Sequence, residues 1–247
     1  MVPLLSRYSL LDKATVMSPT SFQNSIIVKK HKDDVKHEYT ESSKLPTDEQ
    51  KAMWGSEASM LNRFRLGLDT INWTNVKTWL DIGCGTGRFF QLAERQNLQF
   101  QQLIGVDFTE ALIVQAQERD FSNPINFEVC DLETMPADIQ NVDLITLIGV
   151  LQLCGCSLKI ALNKCVDRLA VGGQVFLTTK HLGWSAFKEK AFDPEPNHSW
   201  FLMNDVQQSI EDCGVEILNL GGFLPSEGKI VPLDETHTLF IHGIKRS

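Results

Sequence analysis

A chain of 247 residues with 43% hydrophobic and 22% charged residues has the composition of a soluble globular protein. Its length suits one α/β domain with an appendage and falls short of two full domains. The formal net charge is −8, and residues 1–46 carry seven Lys/Arg against five Asp/Glu, leaving sixteen against twenty-six in the remainder. Such an acidic body repels phosphate backbones and argues against nucleic acid as the main partner. The longest apolar stretch, Leu144 to Leu153, is broken by Thr146, Gly149 and Gln152, well short of the ~20 residues of a membrane span.

Residues 1–46 lack sustained periodicity and are rich in Ser, Thr and Lys, which predicts an arm, partly disordered or folded over the site as a lid. Within it, Lys29-Lys30-His31-Lys32 followed at once by Asp33-Asp34 reads as a solvated surface stretch. The domain proper is expected over 47–247. Thr47-Asp48-Glu49-Gln50 has the form of a capping box, and Met53, Met60, Leu61, Phe64, Leu68 and Ile71 follow at helical spacing. Gly55 and Gly67 predict that this helix bends or splits.

From residue 77 the pattern alternates. Strands are predicted at Thr78–Ile82, Leu103–Val106, Ile125–Cys130, Val142–Ile148 and Val175–Thr179, with two more at Val215–Leu220 and Thr238–Ile244. Helices are predicted from Arg88 to Gln96, after Thr109 as cap, from Ser157 to Leu169, and from a cap at Asn204 to Cys213, stopped by Gly214. Gly172-Gly173 is expected to end the third of these. A loop-rich insertion fills about 180–203. This alternation predicts an α/β fold, a mostly parallel sheet with helices on both faces. Of six cysteines, four fall in predicted elements or the glycine loop and read as small buried hydrophobes, while Cys154-Gly-Cys156 is too tight for a disulfide or zinc pair. No dedicated metal-ligand cluster is visible. Reduced thiols, with no secretory apolar segment, predict a cytoplasmic protein.

The informative segment is Leu80-Asp81-Ile82-Gly83-Cys84-Gly85-Thr86-Gly87-Arg88, three glycines at alternate positions between a strand and a helix. Such a loop lets the backbone approach a bulky ligand closely. Twenty residues beyond Gly87, Asp107 ends the second strand, where a carboxylate can accept both hydroxyls of a ribose. Loop and acid together leave an adenosyl sulfonium and NAD both open. Three features favour the first: Arg88 stands where a dinucleotide loop has its third glycine; Asp131 ends the third strand, placed to accept from an adenine amino group; and neither tyrosine lies in a Tyr-x-x-x-Lys arrangement.

In order and spacing, Leu80–Arg88, Gly105-Val106-Asp107, Val129-Cys130-Asp131-Leu132 and Gly172-Gly173 before a strand resemble a class I S-adenosylmethionine-dependent methyltransferase. The nearest group is the small-molecule one that includes ubiquinone- and menaquinone-biosynthesis methyltransferases. The likeness covers about residues 77–180, with a weaker echo over 200–245. It implies a Rossmann-like seven-stranded sheet whose last strand is antiparallel. It also implies a cofactor, S-adenosylmethionine, leaving as S-adenosylhomocysteine. By carry-over, Asp81, Gly83, Gly85 and Gly87 line the methionine end, Asp107 and Phe108 the ribose, Asp131 and Leu132 the adenine, and Ile148-Gly149 lies beneath the sulfonium.

Gly149-Val150-Leu151-Gln152 after the fourth strand lacks the Asn/Asp-Pro-Pro-Tyr of enzymes that methylate base amines or glutamine amides. That points to a small-molecule substrate methylated on oxygen or nitrogen. A hydroxyl acceptor needs a base, for which His181 and His198 are the candidates, with His237 and His242 read as structural. Tyr39, Trp54, Gln152, Trp184 and Trp200 are the candidate substrate contacts, alongside Phe187 and Phe201 as aromatic walls. Two alternatives remain at this level: a methyltransferase-like binding module without turnover, and an NAD-linked oxidoreductase. Oligomeric state has no signature in the sequence.

Overall fold

The computed structural model describes residues 24–28, 32–154 and 156–246, so Lys29-Lys30-His31 and the start of the arm lie outside the described residues. Helix α1 (Lys32–Ser42) precedes a short α2 (Asp48–Lys51) and a longer α3 (Glu57–Thr70). The expected split falls where Met53 takes a left-handed φ of 56°. Thr47 does not act as a capping hydroxyl, because its Oγ1 donates to Glu49 Oε1 at 2.6 Å. The effective cap is Ser56, whose Oγ accepts the Ser59 N–H at 3.1 Å and starts α3 afresh.

Thereafter the elements are β1 (Thr78–Ile82), α4 (Arg88–Glu94), β2 (Gln102–Asp107), α5 (Glu110–Gln117), β3 (Ile125–Val129), β4 (Val142–Ile148) and α6 (Leu158–Val166). They continue with β5 (Leu169–Lys180), α7 (Ser185–Lys188), α8 (Met203–Glu211), β6 (Val215–Leu224), β7 (Lys229–Val231) and β8 (Thr238–Lys245). The sheet runs β3-β2-β1-β4-β5-β8-β6-β7. Strands β1 to β5 are parallel, and β8 inserts antiparallel between β5 and β6.

Three expectations need correction. The sheet has eight strands rather than seven, because Lys229–Val231, between the last two expected strands, folds back as β7 and pairs with β6 from Gly222↔Val231 to Leu224↔Lys229. Gly172-Gly173 does not end a helix: α6 stops at Val166, and both glycines lie inside β5, where pairing with β4 slips between Val142 and Leu144. At Gly173 a Cβ would stand 2.8 Å from the Ala170 carbonyl oxygen, so the irregular stretch needs glycine for space rather than for termination. Asn204 sits within α8, whose N-cap is Leu202.

Period-2 alternation along the central strands divides the core. Leu80, Ile82, Ile145, Leu147, Val175, Leu177, Leu239 and Ile241 face α6 and α8, packing on Ala161, Leu162, Cys165, Val206 and Ile210. The intervening Trp79, Leu144, Phe176 and Phe240 face α3, α4 and α5, against Met60, Phe64, Phe89, Phe90 and Ile113. Residues 180–203 build a small separate core of Leu182, Phe187 and Trp200, to which the arm adds Ile26 by a two-way backbone bridge with Trp200. Among the described residues no helix is long and apolar enough to cross a membrane.

Candidate active site

The glycine loop is shaped by three left-handed residues, Gly83 (φ 72°), Gly85 (φ 54°) and Gly87 (φ 75°). The amides of Gly83 and Cys84 both donate to the Val106 carbonyl, at 2.8 and 3.1 Å, which ties the loop to β2. A Cβ at Gly85 would meet nothing within 4 Å and project into an open cleft. At Gly83 the space is already taken, since a Cβ would lie 2.4 Å from Val150 Cγ2.

Asp107, only 6% exposed, closes β2 beside this loop. Its Oδ2 accepts the Gly85 N–H at 3.0 Å and its Oδ1 the Thr109 N–H at 2.8 Å. Each oxygen keeps a further lone pair for a ligand in the cleft that it lines. Burial raises the Asp107 carboxyl above its ordinary value, while the two amides pull it back. Asp81, buried on β1, is raised to about 7 by burial, against the hydrogen bond it accepts from Thr146.

The cleft is a cavity of about 120 Å³ walled by Gly83, Gly85, Asp107, Phe108, Asp131 and Leu132 on one side. Ile148, Gly149 and Val150 form its floor, and Val35 and Tyr39 of α1 cover it. Tyr39 meets Phe108 edge to face, ring centroids 5.9 Å apart. Burial, then the nearby Asp107 carboxylate, push the Tyr39 hydroxyl upward, so it stays protonated. Short α2 is pinned to the loop through Asp48, which accepts from Arg119 and from Thr86 Oγ1 and lies 3.6 Å from Arg88 Nε.

A second cavity, about 390 Å³, adjoins the first and shares Tyr39, Ala52, Trp54, Gly149 and Leu153 with it. Trp54 packs directly over Gly149, whose Cβ would fall 2.5 Å from the indole ring. The second cavity is polar, lined by Arg63, Gln152, Lys180, Glu195, His198 and His237. Glu195 Oε2 lies 3.0 Å from both Lys180 Nζ and His198 Nδ1. His198 first and then Lys180 hold the Glu195 carboxyl down to about 2. His237 is held down to about 4 by burial and by the cations Lys180 and Arg63, and is neutral near pH 7.

Residues 80–177 match a family model described as a methyltransferase domain. The α/β sheet, parallel from β1 to β5 with β8 antiparallel, is consistent with it. Over those residues, and in its fold, the chain is similar to class I methyltransferases. Over 103 residues it is 31% identical to a carboxy-S-adenosyl-L-methionine synthase of Helicobacter pylori, covering 40% of this chain and 42% of that protein. Over 157 residues it is 27% identical to a ubiquinone biosynthesis O-methyltransferase of Coxiella burnetii, covering 58% of this chain and 65% of that protein. The chain thus spans less than half the length of the first relative and just under two thirds of the second. The structure of the N-methyltransferase NodS of Bradyrhizobium japonicum, in complex with S-adenosyl-L-homocysteine, shares the fold with a TM-score of 0.63 at 16% identity, over 87% of this chain and 100% of that one.

Eight of the ten residues expected at the cofactor line the first cavity together: Gly83, Gly85, Asp107, Phe108, Asp131, Leu132, Ile148 and Gly149. The other two stand behind it. Asp81 points beneath the loop, and Gly87 caps α4 where a Cβ would press on Phe121 and Phe127 at 3.0 Å. Of the expected substrate contacts, Tyr39, Trp54 and Gln152 line the second cavity. Trp184 and Trp200 line neither: Trp184 packs on Phe187 and Phe192, and Trp200 is buried against Phe187.

His198 lines the second cavity, but His181 does not. It is 5% exposed and lines neither cavity, with Nδ1 3.0 Å from the Leu233 carbonyl oxygen. His237, read as structural, lines the second cavity instead. An antiparallel last strand begins where the parallel strands end, and Lys180 pairs with Thr238, so the residue before β8 falls at the ligand-bearing edge. That signal was available from the strand direction alone. Arg63 carried another: with Met60, Phe64 and Gly67 it occupies the i, i+3, i+4, i+7 face of α3 that is buried, an apolar position holding a cation.

Proposed function

We propose that this chain transfers the methyl group of S-adenosylmethionine to an oxygen or nitrogen of a small metabolite, with the cofactor in the first cavity and the acceptor in the second. The observation that carries this reading is the wall the two cavities share at Tyr39, Trp54 and Gly149, where a donor on one side meets an acceptor on the other. The residues fit the cofactor. Gly85 leaves open the volume that a side chain would fill, and Asp107 offers lone pairs for two ribose hydroxyls. Asp131 and Leu132 stand where the resemblance puts the adenine. The group supplies, when bound, a methyl carbon activated by its positive sulfur.

What remains for the protein is alignment, which can contribute most of the rate in such a displacement. Trp54 and Gly149 restrict the approach between cavities, and α1 with Tyr39 excludes water from above. Helix α1 of the arm then serves as lid and 47–247 as the methyltransferase domain, with the 180–203 insertion supplying Lys180, Glu195 and His198 to the acceptor side. His198, held beside Glu195, and the neutral His237 are the proton acceptors for a hydroxyl nucleophile.

A polar cavity adjoining the first weighs against a silent binding module, and Arg88, engaged with Asp48 at the place of a third glycine, weighs against NAD. The test is incubation with methyl-labelled S-adenosylmethionine and a panel of phenols, amines and hydroxy acids. Label transfer that is lost in Asp107→Ala supports the proposal. Label that stays on the donor with every acceptor, despite cofactor binding, returns the silent module.

A further inference from the structure

We propose that the acceptor carries an anionic group, a carboxylate by preference, and that Arg63 receives it in the second cavity. This rests on the reading of that cavity as the acceptor site, and it names the class of molecule that fits there.

Arg63 is 7% exposed, yet no Asp or Glu lies within ion-pair distance of it among the described residues. Its partners are neutral: Nη1 donates to the Ser59 carbonyl oxygen at 3.0 Å and to Ser59 Oγ at 2.7 Å, and Nη2 to Thr238 Oγ1 at 3.4 Å. One face of the guanidinium stacks on Trp54, 4.4 Å from the ring centroid. Burial alone draws it down to about 9, with no neighbouring carboxylate to raise it, and at neutral pH it keeps its charge.

The other basic side chains of the site differ. Lys180 and His198 share Glu195, and Arg88 and Arg119 share Asp48. A buried cation without a counter-charge is costly to a fold and is retained where something outside the chain supplies the charge. Glu195 is already engaged by two partners and does not neutralise Arg63. A planar guanidinium with one face covered and its edge toward a cavity is suited to a carboxylate. Its position behind Trp54 sets the distance from that anchor to the wall shared with the first cavity, so the anion would also fix which atom of the acceptor reaches the methyl group.

The test uses the full chain saturated with S-adenosylhomocysteine and measures binding of benzoate, phenylacetate and hexanoate against their primary amides. Wild type should bind at least one of the acids ten-fold or more tightly than its amide. Arg63→Gln should erase that difference while leaving the S-adenosylhomocysteine affinity unchanged, and Arg63→Lys should restore part of it. Acids that bind no better than amides in wild type, or a preference that survives Arg63→Gln, overturn the assignment. The wild-type comparison decides even if Arg63→Gln fails to fold. Failure of S-adenosylhomocysteine to bind would instead strike the cofactor reading, which separates the two.

Discussion

Replacing Asp107 probes the cofactor cavity at its most connected point. Asp107→Ala deletes the acceptors proposed for two ribose hydroxyls and also frees the amides of Gly85 and Thr109, now held at 3.0 and 2.8 Å. Charge-assisted hydrogen bonds contribute roughly 1.5–3 kcal/mol each, and water restores part of the loss, so S-adenosylhomocysteine should bind about 2–4 kcal/mol more weakly. That is roughly a 30- to 1000-fold rise in Kd. The orphaned amides add a separate cost to the fold, roughly 1–3 kcal/mol for each that stays buried, which thermal unfolding without ligand measures on its own. Asp107→Asn sharpens the experiment. An amide side chain keeps one acceptor but turns an NH₂ toward the Gly85 or Thr109 amide, so two donors face each other. It should therefore lose nearly as much affinity as alanine despite its equal size. Titration calorimetry of both folded variants is the assay. A Kd within three-fold of wild type would refute the ribose assignment.

Gly85→Ala should cost about 1–2 kcal/mol of stability from its left-handed φ and weaken S-adenosylhomocysteine at least ten-fold, because its Cβ enters the open cleft; normal affinity would place the ligand elsewhere. Gly83→Ala, 2.4 Å from Val150, should instead damage the fold, visible as a larger fall in thermal midpoint. His237, lowered from 6.5 to about 4, makes stability fall as pH drops from 6.5 towards 4, because the unfolded chain takes up the proton first, an effect worth about 3 kcal/mol. His237→Gln should flatten denaturant-derived stability across that window, and an unchanged slope would contradict the burial argument. His181→Ala should lower stability by about 1–3 kcal/mol through the lost bond to the Leu233 carbonyl, with turnover unchanged; a fall in turnover at constant stability would restore it as a base.

The central strands were legible because both their faces are buried. Thr78–Ile82 and Val142–Ile148 are short apolar runs with one reading each, and the acids or glycines that follow them lie by topology at the ligand edge. The first cavity was legible for the same reason, since its residues sit within a few positions of strand ends. The second cavity was not. It is assembled from α3, the end of β5, the insertion and the start of β8, which no local pattern joins. Trp184 and Trp200 lie on the insertion that borders the cavity, but that insertion has to cover its own backbone, and its aromatic rings are consumed in doing so. His181 followed the fifth strand as expected, yet the strand extends to Lys180 and turns the ring towards Leu233 instead of the cavity. β7 was hidden because a three-residue edge strand carries too little alternation to stand out from a loop.

The most direct test of the account is titration calorimetry with S-adenosylhomocysteine, with NAD as control on the same sample. Micromolar binding of the first and none of the second is the predicted result. Absence of S-adenosylhomocysteine binding to the folded protein would contradict it, leaving the glycine loop and Asp107 as architecture without a ligand.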